Sequence, residues 1–398
     1  MQNKYRIDWS RKSHNYTEEE ITAVSNFMRS ADTFTQGNKL SEFEKAFEEY
    51  IGGGKAFALA NGTAAIEIAA ALMDLKEGDE IIIPAHTWCS TAIPFIRYGA
   101  KIVWADICPI TRVINLESID RVRTTKTKAI VVVHLYGLMA DMPKIMSYAQ
   151  NHNIIVLEDC AQSLGADINK EKAGTFGDCS IFSFHTQKNI TTLGEGGALV
   201  VRGRLNEKRA PGLIHNSVEK FNNQKEYWIP AMSNVALDEG GVIPFNFCLT
   251  EVQAMIGSML LKRVDVLNDD RINRAYQFIA EMKNLDQLTF QVFPADYRHV
   301  YHLMSAKFIA KRKGVTRDNL IRLLAERYKI KCIVQYYPLY RYPLFKALGF
   351  GDANCPESDH FFDNMISFPF YHWMPESEFE YLIESVKLAI QTLEAGDQ

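Results

Sequence analysis

The stretch Leu157-Glu158-Asp159-Cys160-Ala161-Gln162, followed downstream by Cys179-Ser180-Ile181-Phe182-Ser183-Phe184-His185-Thr186-Gln187-Lys188, decides how this chain is read. An apolar strand ending in Asp159 brings a carboxylate to the rim of a sheet. A second strand ends near Phe184, and the short loop after it returns Lys188 to the same rim. Together they supply an anion to face a pyridinium nitrogen and an amine to form a Schiff base, the two groups that pyridoxal phosphate requires. An isolated Asp and Lys would serve equally as a helix cap and a surface amine, so the surroundings must decide between the two.

Working outward, short β-rich runs alternate with helical patterns: Ile81-Ile82-Ile83, Ile102-Val103-Trp104, Ile130-Val131-Val132-Val133, Ile154-Ile155-Val156-Leu157, Ile181-Phe182 and Ala198-Leu199-Val200-Val201. Continuous apolar strands of this kind belong to α/β folds, where helices cover both faces of a mostly parallel sheet. Two capping-box patterns, Thr17-Glu18-Glu19-Glu20 and Ser41-Glu42-Phe43-Glu44, predict entry helices before the first strand. After a long polar excursion over 202–245, Thr250 to Gly257 starts a helix. The remainder predicts a strand near 303–309, a helix over 317–328, strands near 330–336 and 366–368, and a final amphipathic helix. This gives a large domain over 1–250 and a smaller α/β domain over 251–398.

Three motifs converge on the same rim. Asn61-Gly62-Thr63 opens an Ala-rich helix, and free N–H groups and a hydroxyl at a helix start suit a phosphate as well as an ordinary cap. Ser183 can donate to the same anion. Trp88 follows the strand Ile81–Ile83 and offers a ring to lie on a pyridine, or else fills the core under a loop. Gln162 can reach a ring oxygen, or stay a solvated amide. With Asp159 holding the ring nitrogen protonated, Lys188 is positioned to carry the proton between substrate carbon and cofactor carbon.

Composition narrows the class. The 398 residues exceed one usual core, and 47% hydrophobic with 23% charged residues describe a globular chain. A net charge of −4 argues against a broadly basic nucleic-acid surface. Seven cysteines without C-x-x-C spacing fit reduced thiols better than a disulfide frame or a zinc site, and no metal is expected. No apolar run approaches a membrane span, and Met1 to Asp8 carry no signal-peptide core, so the expected location is cytoplasmic, with no membrane partner. A nicotinamide oxidoreductase would need a G-x-G-x-x-G turn between strand and helix, and none is convincingly placed.

The ordered motifs resemble the DegT/DnrJ/StrS family of sugar aminotransferases: Phe43-Glu44, Asn61-Gly62-Thr63, Pro84 to Trp88, His134-Leu135-Tyr136-Gly137, Glu158-Asp159, Gly174-Thr175-Phe176-Gly177-Asp178, Ser183 to Gly197, and Asn246 to Gly257. The resemblance implies the fold-type I aminotransferase architecture and pyridoxal 5'-phosphate as cofactor. It makes Lys188 the Schiff-base lysine, Asp159 the pyridinium partner, Trp88 the stacking ring, and Gly62, Thr63 and Ser183 the phosphate cradle. Asn246 matches an asparagine that reaches the cofactor phosphate of the other subunit, which implies a homodimer with shared active sites. Many relatives carry a basic residue two positions after that asparagine, where this chain has Cys248. The dehydratase branch has histidine at the lysine position, so Lys188 favours transamination over a non-catalytic or dehydratase role.

The implied reaction moves an amino group from L-glutamate, leaving 2-oxoglutarate, to a keto or aldehyde sugar. The same likeness ranks a sugar acid, 8-oxo-3-deoxy-manno-octulosonate, just ahead of a nucleotide-linked keto-sugar of the 4-amino-4-deoxy-arabinose type, with lipopolysaccharide as destination. Tyr336, Tyr337, Arg341, His215 and Trp228 lie in loops that can approach the acceptor.

Overall fold

The fold is described from a computed structural model covering residues 4–219, 226, 228 and 234–396. Seven strands form the central sheet: β1 (Lys55–Leu59), β2 (Glu80–Pro84), β3 (Lys101–Ala105), β4 (Thr127–Val133), β5 (Ile155–Asp159), β6 (Cys179–Ser183) and β7 (Gly197–Val201). Their spatial order is β1-β7-β6-β5-β4-β2-β3. The neighbours from β3 through β6 run parallel, whereas β7 is antiparallel to both β1 and β6. Strands such as Ile81–Ile83 and Ala129–Val132 are buried along their whole length, as expected of a sheet covered on both faces.

The register fixes the site. Asp159 pairs with Ile181 at the carboxyl end of the parallel strands, and two residues further along Ser183 pairs with Gly197. Ligand sites in open α/β sheets lie at that end. The helix Gly62–Leu72 follows β1 and is buried over nearly all its residues, which explains its run of alanines: a larger side chain would not fit against β6 and β7. Gly197 is required for the same packing, since a Cβ there would stand 2.4 Å from the Asn61 carbonyl carbon.

Entry to the fold differs at one point from the capping patterns. The helix Glu18–Ser30 has the predicted box, with the Thr17 hydroxyl accepting from Glu20 N and the Glu20 carboxylate accepting from Thr17 N. The second helix spans Asn38–Ile51, so Ser41 lies inside it rather than capping it. Its free N–H groups go instead to Glu251: Gly37 and Lys39 each donate to that carboxylate at 2.8 Å, and Leu40 at 3.2 Å. A buried carboxylate from a distant helix outcompetes the local serine because it meets three donors at once.

Two hydrophobic cores are present. The first surrounds the central sheet and includes the helix Glu251–Leu261. The second gathers Phe278, Met304, Phe308, Leu320, Leu324, Ile366, Phe368 and the final helix Glu376–Ala395, with Ile7 from the amino-terminal segment. Its sheet orders Leu288–Thr289, Met304–Phe308 and Met365–Phe368, with both neighbouring pairs antiparallel. The strand expected over 330–336 is not formed. Ile330 and Ile333 make only isolated bridges, to Ile7 and Ser367, and the Gln335 N–H turns to the Met365 sulfur, leaving no ladder to extend.

Candidate active site

Asp159, at the end of β5, is buried. Its Oδ2 accepts from the Thr91 hydroxyl at 2.9 Å and its Oδ1 from Ala161 N at 3.1 Å. Burial raises its pKa above the usual carboxylate range, opposed by those two hydrogen bonds and by the charge of Lys188. Any cation arriving at the outer oxygens is thereby favoured, since it relieves the cost of burying the anion.

Lys188 sits in the loop after β6, where its N–H donates to the His185 carbonyl at 2.8 Å. The residue is half-buried, but its amine is enclosed, and burial lowers its pKa to about 8 against the opposing pull of Asp159. A lysine so tuned offers a neutral amine far more readily than a surface lysine does.

Gly62 opens its helix beside Ser183, with Asn61 Oδ1 accepting from Ala64 N at 2.8 Å as the cap. A Cβ on Gly62 would stand 3.1 Å from the Ser183 Cβ, so helix start and strand end touch. The Thr63 hydroxyl donates to Ser90 Oγ at 2.9 Å. These groups meet at the sheet's carboxyl end, where a helix start and neighbouring hydroxyls are the kind of donors that take a phosphate. Trp88 is 53% exposed, its ring edge-on to Tyr336 at 6.0 Å, so one face is open rather than packed in the core.

Gln162 is buried and engaged: its Oε1 accepts from Tyr136 N at 2.8 Å and its Nε2 donates to the Tyr336 hydroxyl at 3.3 Å. Tyr136 and Tyr336 lie nearly parallel, 6.3 Å apart, and His86 hydrogen-bonds the Tyr136 hydroxyl at 2.8 Å. Asn246 is exposed on a segment whose neighbour Cys248 bridges Leu59, just before the helix start at Gly62. Of the loop residues named for the acceptor, only Tyr336 lines the cavity at Lys188. Arg341 is tied to Asp359 and Asp363, His215 is 2.6 Å from Gln36 Nε2, and Trp228 is exposed.

That cavity is lined by Trp9, Lys12, His185, Gln187, Arg271 and His302 together with Lys188 and Tyr336. Sequence reasoning missed Thr91, Arg271, His302 and the amino-terminal segment. Thr91 stood in view beside Trp88. Arg271 carried a signal too, as a charged residue within the stripe Val264, Leu267, Asn268, Arg271, Ala275, Phe278 that the helix Val264–Met282 buries.

A buried carboxylate, an enclosed lysine amine, a helix start beside Ser183 and an open aromatic face meet at one end of the sheet, a donor set that fits pyridoxal phosphate. The chain matches the DegT/DnrJ/EryC1/StrS aminotransferase family over residues 14–387 and belongs to it. It is 32% identical to GDP-perosamine synthase of Caulobacter vibrioides, over 81% of this chain and 82% of that one. It is 30% identical to the UDP-N-acetyl-3-dehydro-alpha-D-glucosamine 3-aminotransferase of Acidithiobacillus ferrooxidans, over 91% of both. Among solved structures it resembles the aminotransferase from Psychrobacter cryohalolentis with a TM-score of 0.86 at 25% identity, over 96% of this chain and 99% of that one. The protein is a sugar aminotransferase of fold type I that uses pyridoxal phosphate. Among the described residues no helix is long and apolar enough to cross a membrane.

Proposed function

We propose that the protein transfers an amino group from L-glutamate to the aldehyde of a sugar acid, 8-oxo-3-deoxy-manno-octulosonate, for lipopolysaccharide, working in the cytoplasm as a homodimer with shared active sites. Bound pyridoxal phosphate supplies the electron sink that lets a carbon next to nitrogen lose its proton. The chain supplies the rest. Asp159 would hold the ring nitrogen protonated, and Trp88 would offer its open face to the ring. Gly62, Thr63 and Ser183 hold the phosphate, joined by Asn246 of the partner subunit. Gln162, which also bonds Tyr136 N and the Tyr336 hydroxyl, would reach the ring oxygen, and the Lys188 amine would remove a proton and return it at the neighbouring carbon.

The observation that carries the amine-transfer chemistry is the pairing of buried Asp159 with the enclosed amine of Lys188 at one sheet end. The acid acceptor is supported by the charge of the cavity: Lys12, Lys188 and Arg271 line it, and no carboxylate does among the described residues. A nucleotide-linked keto-sugar is the second reading, favoured by the names of the perosamine and 3-dehydro-glucosamine relatives. Release of 2-oxoglutarate from glutamate, measured with 8-oxo-3-deoxy-octulosonate and with nucleotide-linked 4-keto-arabinose, separates the two. Turnover of the nucleotide sugar alone rejects the acid acceptor and leaves the aminotransferase intact.

A further inference from the structure

Arg271 is 4% exposed, yet among the described residues it makes no hydrogen bond and no ion pair. Among the described residues its one aromatic neighbour within cation–π range is Phe370, 5.7 Å from the guanidinium carbon. A guanidinium withdrawn from water without an anion is costly, and burial alone draws its pKa down to about 10. The ionisable groups around it bring no relief: His14, His302 and His372 all feel its charge, and burial holds each of them neutral. Lys12, also on the cavity wall, has its amine 5.0 Å from the Trp373 ring and bonds Asn15. The guanidinium faces the same cavity as Lys188.

A planar fork of donors, held by a helix interior and opening onto the reacting amine, matches a carboxylate in a bidentate pair. We propose that Arg271 is the carboxylate receptor of this active site, holding the acid group of the amino donor in one half-reaction and that of an acid acceptor in the other. The inference rests on the aminotransferase reading and extends it to a substrate contact. Gly62, Thr63 and Ser183, the residues assigned to the phosphate, do not line the cavity that Arg271 and Lys188 share.

The test uses the cofactor-loaded enzyme and two unreactive acids: glutarate, which imitates the donor, and 3-deoxy-manno-octulosonate, which imitates the acceptor. Calorimetric binding is measured for the wild type, Arg271→Gln and Arg271→Lys, each checked for unchanged melting and for the visible absorbance of the lysine-linked cofactor. We expect Arg271→Gln to bind glutarate at least about tenfold more weakly, with Arg271→Lys between the two, because a charge-assisted pair is lost in one and only its fork in the other. A parallel loss for the octulosonate assigns the acceptor carboxylate to the same residue, and a loss for glutarate alone confines the role to the donor. Unchanged affinity for both acids in Arg271→Gln overturns the proposal. Absence of the cofactor absorbance in the wild type would instead remove the reading on which it rests. Should Arg271→Gln not fold, Arg271→Lys decides: undiminished binding of both acids by that variant overturns the bidentate contact.

Discussion

The hydroxyl of Thr91 donates to the Oδ2 of Asp159 at 2.9 Å, and both side chains are buried. This single bond helps hold as an anion a carboxylate that burial pushes toward its neutral form. Thr91→Val removes the donor with little change of shape, so the folded-state pKa of Asp159 rises further. The acidic limb of the pH profile for the glutamate half-reaction is expected to move to higher pH, with the plateau rate about tenfold lower. Asp159→Asn gives the larger loss at every pH. Stopped-flow decay of the cofactor absorbance in glutamate measures both, and an unmoved acidic limb in Thr91→Val would show that the bond does not tune the carboxylate.

Lys188 should declare its environment through pH. Its amine has a pKa near 8 rather than that of a free lysine, because burial disfavours the ammonium form. Only the neutral amine attacks an aldehyde, so the rate at which cofactor-free protein captures pyridoxal phosphate should climb through about pH 8 and level off above it. A climb that continues toward pH 10 contradicts the enclosure. Lys188→Ala abolishes capture and turnover while retaining the fold.

Glu251 gives a prediction about stability rather than chemistry. It accepts from Gly37, Lys39 and Leu40 at the start of the helix Asn38–Ile51. Glu251→Ala leaves those half-buried donors without an acceptor and should cost about 1–3 kcal/mol. Chemical denaturation reads the loss. Ser41→Ala, at the position the local pattern favours for a cap, should cost far less.

Much of this fold was legible because the informative residues are local. Fully apolar strands from Ile81 to Val201 announced a covered parallel sheet, and the placement of Asp159 and Lys188 at one rim followed from strand ends alone. What was not legible depends on partners far apart in sequence. The cap at Asn38 comes from Glu251, more than two hundred residues away, so a sound local signal at Ser41 pointed elsewhere. The segment 330–336 has strand composition but touches its neighbours only through single bridges, Ile330 to Ile7 and Ile333 to Ser367, before Gln335 and Tyr336 turn to line the cavity at Lys188. Arg271 was readable in principle as the charge within an apolar stripe, but its meaning needs the cavity that the amino-terminal segment and Phe370 close around it.

Gly62 tests the proposed phosphate site. A methyl group there would stand 3.1 Å from the Ser183 Cβ and 3.4 Å from the Phe182 carbonyl oxygen, neither of which can retreat without moving β6. Gly62→Ala should therefore wedge the helix start from the strand end and weaken pyridoxal phosphate binding by about tenfold, as expected when donors to an anion are misplaced. Absorbance titration of cofactor-free protein measures this. Unchanged affinity would place the phosphate elsewhere.

Asn246 decides whether two chains build each site. Its side chain is exposed, on the segment that runs past the end of β1 just before Gly62, with Ala60 N donating to the Phe247 carbonyl at 2.8 Å. If the side chain serves the partner's phosphate, Asn246→Ala is impaired in cofactor affinity and Lys188→Ala is inactive, each for a defect in a different half of a shared site. A mixed dimer then holds one site with both residues intact and one with neither. Mixing the two variants under conditions of subunit exchange should restore activity, up to about a quarter of the wild type if half of the dimers are mixed and each has one working site of two. Exchange itself is followed by mass spectrometry of differently tagged chains. Complete exchange without recovery beyond that of Asn246→Ala alone would mean that Asn246 acts, if at all, within its own chain.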